Sequence, residues 1–256
     1  MIFVTIAIVT GASSGMGREY AKLLDEENVG EIWLISRHER TLQKTAEQLK
    51  TKSRILPLDL TQPSSYSRFA DVLREHHPVV SYFIHAAGFG RMGSTTAMSE
   101  RDTAGMIAIH CHAAVFLTTA VLPYCQRGSH IVEICSCAAF QPLPYLAVYA
   151  ACKAFLLRYS RALAEELKPE GIFVSAVCPY WVKDTAFIAT AKKTDQENRF
   201  HHYIFAGNGE RIARRSFRQI RRGRVVITPD VISTLHRISS GILPQSFLIW
   251  ISRFFR

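Results

Sequence analysis

Short apolar runs rich in β-branched residues alternate with amphipathic runs from the start of the chain, and this alternation restricts the possible folds most. The strand-like run FVTIAIVTG precedes the helix-like run GREYAKLLDEE, and the same order returns with EIWLISR and ERTLQKTAEQLK. The strand-like runs are too apolar for a sheet that exposes one face to water. The alternation therefore predicts an α/β fold in which helices cover both faces of a parallel sheet.

The same order continues to residue 179. Long helices are predicted over 99–125 and 148–168, with strands in RILPLDL, VVSYFIHAAG, HIVEICS and IFVSAVCP. The alternation is lost at 183–208, which we interpret as a substrate lid over the carboxyl edge of the sheet, where such sheets bind ligands. Because no repeat or linker interrupts the chain, residues 1–256 are predicted to form a single domain, with a basic and aromatic extension over 209–256.

Composition and cysteine usage favour a cytoplasmic protein. The chain has 256 residues, of which 48% are hydrophobic and 20% charged, and we expect no stretch apolar enough to span a bilayer. The opening MIFVTIAIVTG lacks a basic flank and a cleavage site, so it is interpreted as a first strand. The six cysteines lie inside apolar runs, which predicts reduced, buried thiols and no metal site.

The net charge of +10 is concentrated in RIARRSFRQIRRGR, residues 211–224, which carries seven arginines. Five of them fall on one helical face, opposite an apolar face; they are Arg211, Arg214, Arg215, Arg218 and Arg222. A solvated helix face is the favoured interpretation. The alternative is a docking surface for lipid head groups, an acyl carrier protein or phosphates. No nucleic-acid binding is expected, since no recognised motif accompanies the charge.

The chain ends in LPQSFLIWISRFFR, where large apolar side chains are punctuated by Arg253 and Arg256. The favoured interpretation is a segment that packs on the domain or on another subunit. The alternative is an interfacial helix that makes a peripheral contact with a membrane.

A glycine-rich turn, TGASSGMG, follows the first predicted strand and opens the first predicted helix. Such a turn uses glycine for a tight bend, for backbone approach to a pyrophosphate and for close helix packing. The helix N-terminus then directs N–H groups at the anion. Its position in the first βαβ unit predicts a dinucleotide site built from Gly11, Ser13, Ser14, Gly15, Met16 and Gly17.

The end of the second strand indicates which dinucleotide binds. A site for NAD usually offers a carboxylate there to the ribose 2′-hydroxyl. Here the strand ends Ile35-Ser36-Arg37, with no acid before Glu39. Arg37 can hold a 2′-phosphate through its guanidinium. The sequence predicts that NADP(H) is preferred and that NAD(H) is possible.

Further motifs make nearly the whole chain resemble the short-chain dehydrogenase/reductase family. TGASSGMG resembles the family's TGxxxGxG turn, YAACK its YxxxK motif and HAAG at 85–88 its NNAG motif, while Ser136 precedes Tyr149 by the family's thirteen residues. Asp59 stands where the family has an adenine-contacting aspartate. The resemblance implies a Rossmann-type, doubly wound parallel sheet. It also implies cofactor contacts from Asp59, Leu60, Ala87, Gly88, Tyr149, Lys153, Pro179, Val182 and Thr185.

The chemistry expected of Ser136, Tyr149 and Lys153 follows from acid–base physics. A free tyrosine has a pKa of about 10 and relays protons poorly at neutral pH. Tyr149 and Lys153 stand one helical turn apart, so we expect the ammonium to lower the pKa of the phenol. Ser136 is expected to hydrogen-bond the substrate oxygen, and Tyr149 to act as the general acid or base of a hydride transfer.

Three departures from the family pattern bear on activity. His110 stands where the family has an asparagine that supports a water-mediated proton relay, and we expect a retained relay with changed pH dependence. Ala86 replaces an asparagine of NNAG, which removes an anchor between strands. Tyr180 replaces a glycine, and Asp184 stands where the family has threonine, one residue before Thr185.

Large apolar residues after the predicted catalytic strands suggest a bulky hydrophobic ketone or secondary alcohol as substrate, of hydroxysteroid or 3-oxoacyl type. A catalytically impaired NADP(H)-binding sensor or scaffold is the alternative. The resemblance also implies a homodimer or homotetramer that pairs through long helices. The candidate substrate residues are Phe140, Leu143, Tyr145, Trp181 and Phe187, with Phe200, Tyr203 and Phe205 in the lid and His201 and His202 beside them without a metal.

Overall fold

The predicted alternation of strands and helices is present in the computed structural model, which describes residues 5–195 and 205–253. One sheet has the order β3-β2-β1-β4-β5-β6-β7, and every neighbouring pair is parallel. The predicted Rossmann-type doubly wound sheet is confirmed. The strands are β1 Thr5–Thr10, β2 Glu31–Ser36, β3 Ser53–Pro57, β4 Val79–His85, β5 Cys125–Ile134, β6 Phe173–Val177 and β7 Val226–Ile227.

Helices connect the strands and cover both faces of the sheet. The sequence missed β7, because a two-residue strand is too short to show a periodicity. The helices are α1 Gly15–Leu24, α2 Glu39–Ala46, α3 Pro63–His76, α4 Glu100–Ile107, α5 Ala113–Val121, α6 Ala147–Glu166, α7 Ala186–Ala191, α8 Gly209–Ile220, α9 Val231–Ile242 and α10 Gln245–Ser252.

The continuous hydrophobicity of the strands results from burial on two sides. Along β1, Ile6 and Ile8 pack in one core cluster, while Ala7 and Val9 pack in the other. Trp33 of β2 joins the first cluster at 1% exposure. Since successive side chains of a strand point to opposite faces, a sheet with two dry faces needs an apolar residue at every position.

The long helix predicted over 99–125 is a continuous helical stretch that changes type. A π-helical turn at Ala108–His112 separates α4 from α5, and a 3₁₀ turn ends the stretch at Leu122–Tyr124. By length and composition this stretch, Glu100–Tyr124, could cross a membrane, so the expectation that no stretch is apolar enough was wrong. In the fold it packs against α3 and α6 and brings His110 to the cleft.

Within the described residues of the lid predicted over 183–208, helical structure is present in α7 and in a 3₁₀ turn at Lys192–Thr194. Its two ends meet in a parallel bridge between Val182 and Gly207. Phe205 is exposed at the far end of the excursion and does not line the cleft. The other aromatic and histidine residues of the predicted lid, Phe200, His201, His202 and Tyr203, lie outside the described residues.

The arginine-rich segment forms α8, which begins two residues before the sequence predicted. The five predicted face arginines are exposed, four of them on α8 and Arg222 two residues after its end. Ala213, Phe217 and Ile220 are buried on the side of α8 that contacts α1. Phe217 lies 6.5 Å from the ring of Tyr20 and 5.7 Å from that of Tyr82. The exposed arginines agree with a solvated basic face and with a docking surface alike, so the choice between the two stays a prediction.

Replacing Phe217 with alanine tests how α8 is held. Because the ring is 5% exposed and packs between two tyrosines, Phe217→Ala should lower the free energy of unfolding by about 3 kcal/mol. The matched control Arg218→Ala, on the exposed face of α8, should change it by less than about 0.5 kcal/mol. Urea titrations measure both. Equal losses in the two variants would mean that α8 does not dock through its apolar face.

Candidate active site

A cleft of about 810 Å³ opens at the carboxyl ends of the strands. The strand order reverses between β1 and β4, and ligands of doubly wound sheets bind at such a reversal. All predicted cofactor and catalytic residues line this cleft. Their roles stay predictions, but one continuous cavity brings them together.

The glycine turn lies where the backbone passes closest to its neighbours. Gly11 has a φ of +67°, and a Cβ there would lie 2.9 Å from the carbonyl carbon of Ala86. A Cβ on Gly17 would lie 2.3 Å from the carbonyl oxygen of Gly11. Ser14 precedes α1 without a side-chain capping bond among the described residues, and the first turn of α1 holds no acid. The turn therefore fits a pyrophosphate at the N-terminus of α1.

The adenosine end of the cleft lies at the tips of β2 and β3. Ser36 Oγ is buried there and has no hydrogen-bond partner among the described residues. Arg37 follows it and also lines the cleft. Asp59 Oδ1 accepts hydrogen bonds from the Thr61 amide at 3.0 Å and from its hydroxyl at 2.8 Å. An unpartnered hydroxyl beside a guanidinium fits a phosphorylated ribose better than it fits an apolar group.

Ser136, Tyr149 and Lys153 meet at the floor of the cleft. Ser136 lies two residues after the end of β5; its Oγ accepts the Ala138 amide at 3.1 Å and interacts with the Tyr149 hydroxyl. Lys153 Nζ lies 5.5 Å from the centre of the Tyr149 ring and donates to the Ile134 carbonyl at 2.7 Å. The i to i+4 spacing on α6 places phenol and amine on one helical face, as the sequence predicted.

The direction of the Tyr149 pKa shift corrects the sequence prediction. Burial raises the pKa of Tyr149, and its hydrogen bond with Ser136 opposes that rise. The sequence analysis expected Lys153 to lower this pKa, but burial is the largest influence on the phenol and the net shift is upward. Burial also lowers the pKa of Lys153, and the neighbouring Cys135 and Glu133 oppose this shift. The phenol therefore stays protonated at neutral pH.

His110 lies in the π-helical turn, with 1% of its surface exposed. Its Nε2 donates to the Phe89 carbonyl at 2.8 Å, which leaves Nδ1 as a buried acceptor without a partner among the described residues. The ring meets the edge of Tyr149 at 5.4 Å. It fits only because residue 88 is glycine, since a Cβ there would lie 2.2 Å from His110 Cε1.

The pKa of His110 is lowered well below 6.5, first by burial and second by the charge of Lys153. The imidazole is therefore neutral across the physiological range. The sequence analysis expected His110 to change the pH dependence of a proton relay. The structure corrects this expectation, because His110 is a neutral hydrogen-bond acceptor that does not titrate near neutral pH.

The side-chain anchor lost at Ala86 has a substitute in β1. The Thr10 hydroxyl oxygen accepts the amides of Ala86 at 3.1 Å and Ala87 at 3.0 Å. The same hydroxyl donates to Nδ1 of His85, whose Nε2 donates to the Ile109 carbonyl. Thr10 and His85 thereby connect β1, β4 and the helical stretch behind the site, a role that the sequence analysis missed.

Glu133 is a second buried group that the sequence analysis missed. It sits on β5 at 0% exposure and accepts the Thr118 hydroxyl at 3.0 Å. Burial raises its pKa well above the usual value, while Thr118 and Lys153 oppose the shift. A carboxyl group inside the apolar run HIVEICS was the available signal, because carboxyl groups are rarely buried without a partner.

The substrate end of the cleft is aromatic, but two predicted residues lie elsewhere. Leu143, Trp181 and Phe187 line it, and the Phe187 ring lies 5.2 Å from that of Tyr149. Phe140 instead packs edge-on against His236 of α9. Tyr145 has a φ of +65°, which turns its side chain into a separate hollow beside α10. The structure does not bring these two side chains into the cleft, because backbone direction decides which side chains face a cavity.

Pro179, Val182 and Thr185 line the cleft after β6, with Tyr180 and Trp181 between them. Thr185 caps α7 and donates to the Val182 carbonyl at 3.1 Å. Asp184 is directed away, since its carboxylate accepts the Gly209 amide at 2.7 Å in front of α8. Thr185, and not Asp184, is therefore the residue placed at the cofactor cleft.

The C-terminal helices form a wall of the cleft that the sequence analysis did not assign. The sequence analysis predicted that the tail packs on the domain or on another subunit. Its apolar content was the only feature of the sequence that indicated a contact with the cleft. The lining residues of α9 and α10 and of the loop between them are Ile232, Leu235, His236, Ile238, Ser239, Leu243, Leu248, Ile251 and Ser252.

This sheet, with a glycine turn at the strand reversal and a Ser-Tyr-Lys group beside it, defines a dinucleotide-dependent oxidoreductase. A profile of the family described as short chain dehydrogenase matches residues 5–196. The chain belongs to the short chain dehydrogenase family and is an oxidoreductase, as its motifs predicted. An uncharacterized oxidoreductase of Staphylococcus epidermidis is 30% identical over 176 residues, 68% of this chain and 76% of that protein.

Solved structures support the fold. A short-chain dehydrogenase from Sphingobium yanoikuyae in complex with NADPH has a TM-score of 0.78 at 24% identity and covers 95% of this chain and 97% of that one. The bulky-bulky ketone specific alcohol dehydrogenase from Comamonas testosteroni has a TM-score of 0.73 at 22% identity, with 96% and 97% covered. Similar solved structures include complexes with NADPH, NADP and NAD.

The buried, neutral state of His110 predicts a specific pH dependence of stability. Its pKa in the unfolded chain is about 6.5, so below that pH the unfolded state binds one proton more than the native state does. The free energy of unfolding then falls as the pH falls. His110→Asn should reduce this slope by about 1.4 kcal/mol per pH unit below pH ~6.

Urea titrations over a range of pH measure the slope, with exposed His112→Asn as the matched control. Parallel curves for wild type and His110→Asn would mean that the native protein carries a charged imidazole at this position.

Proposed function

We propose that the protein is an NADP(H)-dependent oxidoreductase that interconverts a bulky hydrophobic ketone and its secondary alcohol. The observation that carries this proposal is the position of Tyr149 in the cleft. Its hydroxyl interacts with Ser136, Lys153 lies near its ring, and the glycine turn and the aromatic chamber line the same cavity. A hydroxysteroid or a 3-oxoacyl chain has the size and polarity that such a chamber accepts.

The residues that line the cleft fit a nicotinamide dinucleotide, and different residues would hold its different parts. Gly11, Gly15 and Gly17 with the N-terminus of α1 would hold the pyrophosphate, and Lys153 lies on the floor of the nicotinamide end. When bound, the reduced nicotinamide supplies a hydride to the carbonyl carbon.

Tyr149 supplies the proton in this scheme. Because burial raises the pKa of its phenol, Tyr149 is protonated at neutral pH and acts as the general acid of ketone reduction. Ser136 holds the substrate oxygen within reach of that hydroxyl. The cationic Lys153 stabilises the phenolate left after transfer, and reprotonation of Tyr149 completes the cycle.

The preference for NADP(H) rests on the end of β2. Ser36 leaves room beside the ribose, its buried Oγ has no partner among the described residues, and Arg37 offers a bidentate phosphate ligand. A carboxylate that would repel a 2′-phosphate is missing before Glu39.

The bulk of the substrate is inferred from the walls of the chamber. Trp181 and Phe187 stand 6.3 Å apart on one side, and α9 and α10 provide aliphatic residues on another. The fold shared with a bulky-bulky ketone specific alcohol dehydrogenase supports the same substrate class.

We further propose that the chain forms a homodimer or homotetramer. Ile107, Phe116 and Phe155 of α4, α5 and α6 are each more than two-fifths exposed, which is unusual for large apolar residues on one layer of helices. Analytical ultracentrifugation of Phe155→Ser against wild type measures this contact, and an unchanged sedimentation coefficient would contradict it.

Tyr149→Phe is the central test of the reaction. The variant keeps the ring and its packing but has no proton to give, so turnover of NADPH with steroids, 3-oxoacyl thioesters or aldehydes should fall at least about a hundredfold. NADPH binding should be kept. Tyr145→Phe, outside the cleft, is the matched control and should retain full turnover. If wild type binds NADPH and turns over no substrate of the panel, the sensor alternative replaces the enzyme.

Arg37→Ser tests the cofactor preference. Loss of one charge-assisted phosphate contact should weaken NADPH binding by about tenfold or more and leave NADH binding unchanged. Calorimetric titration measures both affinities. Arg40→Ser, three residues further and outside the cleft, is the control. Equal losses for NADPH and NADH would contradict a 2′-phosphate contact.

A further inference from the structure

An exposed apolar surface borders the mouth of the cleft, on helices that the oxidoreductase chemistry does not use. We define the C-terminal apolar surface by its six large members. Their exposed fractions run from 43% for Phe247 to 76% for Ile242. The residues of this surface are Val231, Leu235, Ile238 and Ile242 of α9 and Phe247 and Trp250 of α10.

The surface is built by helical spacing and is not a scatter of single side chains. The four residues of α9 recur at intervals of four, three and four, which places them along one face. On α10 the rings of Phe247 and Trp250 stack at 5.8 Å. The opposite sides of both helices are packed, with Ser233 at 0% and Leu248 at 5% exposure. Contiguous apolar exposure of this kind marks an interaction site.

The charges around this surface indicate the chemistry of its partner. Residues 231–253 contain no aspartate or glutamate. Arg253 is exposed among them, and Arg237 is exposed while its Nη1 donates to the Val226 carbonyl. Asp230 is the single acid from 211 to the end of the sequence, and its carboxylate accepts the amides of Tyr180 and Ser233. An apolar face with basic neighbours and no acid matches an anionic lipid surface.

A second copy of the chain is a poorer match for the same face. Two such surfaces would bring arginines together with no carboxylate among residues 231–253 to pair with them. The exposed apolar residues of α5 and α6 offer self-association another place on the molecule.

We propose that the C-terminal apolar surface binds an anionic phospholipid bilayer. The apolar side chains of α9 and α10 enter the boundary between head groups and acyl chains, and the neighbouring arginines contact lipid phosphates. Leu235 and Ile238 belong both to this surface and to the cleft wall. A hydrophobic substrate dissolved in the bilayer therefore reaches the cleft without crossing water, a consequence that rests on the proposed function.

Vesicle flotation tests the lipid contact without cofactor or ketone, so its outcome is independent of the proposed reaction. The probes are vesicles of phosphatidylcholine alone and of an equimolar mixture with phosphatidylglycerol. Wild type should float with the mixed vesicles and much less with the neutral ones. The double variant Ile242→Asn/Trp250→Ser, outside the cleft wall, should bind the mixed vesicles at least about tenfold more weakly. Phe116→Asn, an equally exposed apolar change elsewhere, should bind as wild type does.

Quenching of tryptophan by brominated lipid gives a second measurement on folded protein. Of the other two tryptophans, Trp33 is buried and Trp181 lines the cleft, and both remain in Trp250→Phe. Quenching that disappears in Trp250→Phe would therefore place α10 in the lipid. Any of the following would overturn the proposal: wild type that does not float, equal binding to neutral and mixed vesicles, or a double variant that binds as wild type does. A change from dimer to monomer in the double variant, without lipid binding, would assign the surface to self-association instead.

Discussion

The hydrogen bond from Lys153 Nζ to the Ile134 carbonyl, 2.7 Å long and almost fully buried, organises the site. An ammonium group at 4% exposure costs desolvation free energy unless it is paired. The Ile134 carbonyl accepts a hydrogen bond from this ammonium group, so α6 is held against the end of β5. The same contact sets Tyr149 beside Ser136. The position of the reactive phenol is thus a consequence of how a buried charge is solvated by the protein.

The structure accommodates a histidine in the π-helical turn, where the family pattern has asparagine, through several neighbouring residues. The His110 ring needs the space that Gly88 leaves, and its donor needs the Phe89 carbonyl. His85 and Thr10 tie the neighbouring strands where the family pattern has an asparagine side chain. These groups form one buried polar layer beneath the cleft. The pKa values of both histidines are lowered by burial, that of His85 to about 4, so the layer is uncharged at neutral pH apart from Lys153.

Much of the site could be predicted because its signals are local. Their spacing of four residues places Tyr149 and Lys153 on one helical face. The glycines of TGASSGMG are required by the tight turn and the close approach of the backbone there. Two candidate substrate residues lie outside the cleft: Tyr145 has a left-handed backbone, and Phe140 ends a 3₁₀ turn and packs against His236 of α9. The direction of the Tyr149 pKa shift was also wrong, since helical spacing shows a neighbour but not the depth of burial. The roles of Glu133, Thr10 and the C-terminal helices depend on contacts between distant segments.

The amino-acid order alone determined the α/β class, the parallel sheet, the glycine turn and the Ser136-Tyr149-Lys153 group, because each is a periodicity or spacing within a short stretch. Only the tertiary structure decided which groups are desolvated, which aromatic rings face the cavity and that α9 and α10 close its side. Desolvation and cavity shape depend on atoms brought together from far along the chain. A short sequence window does not contain them.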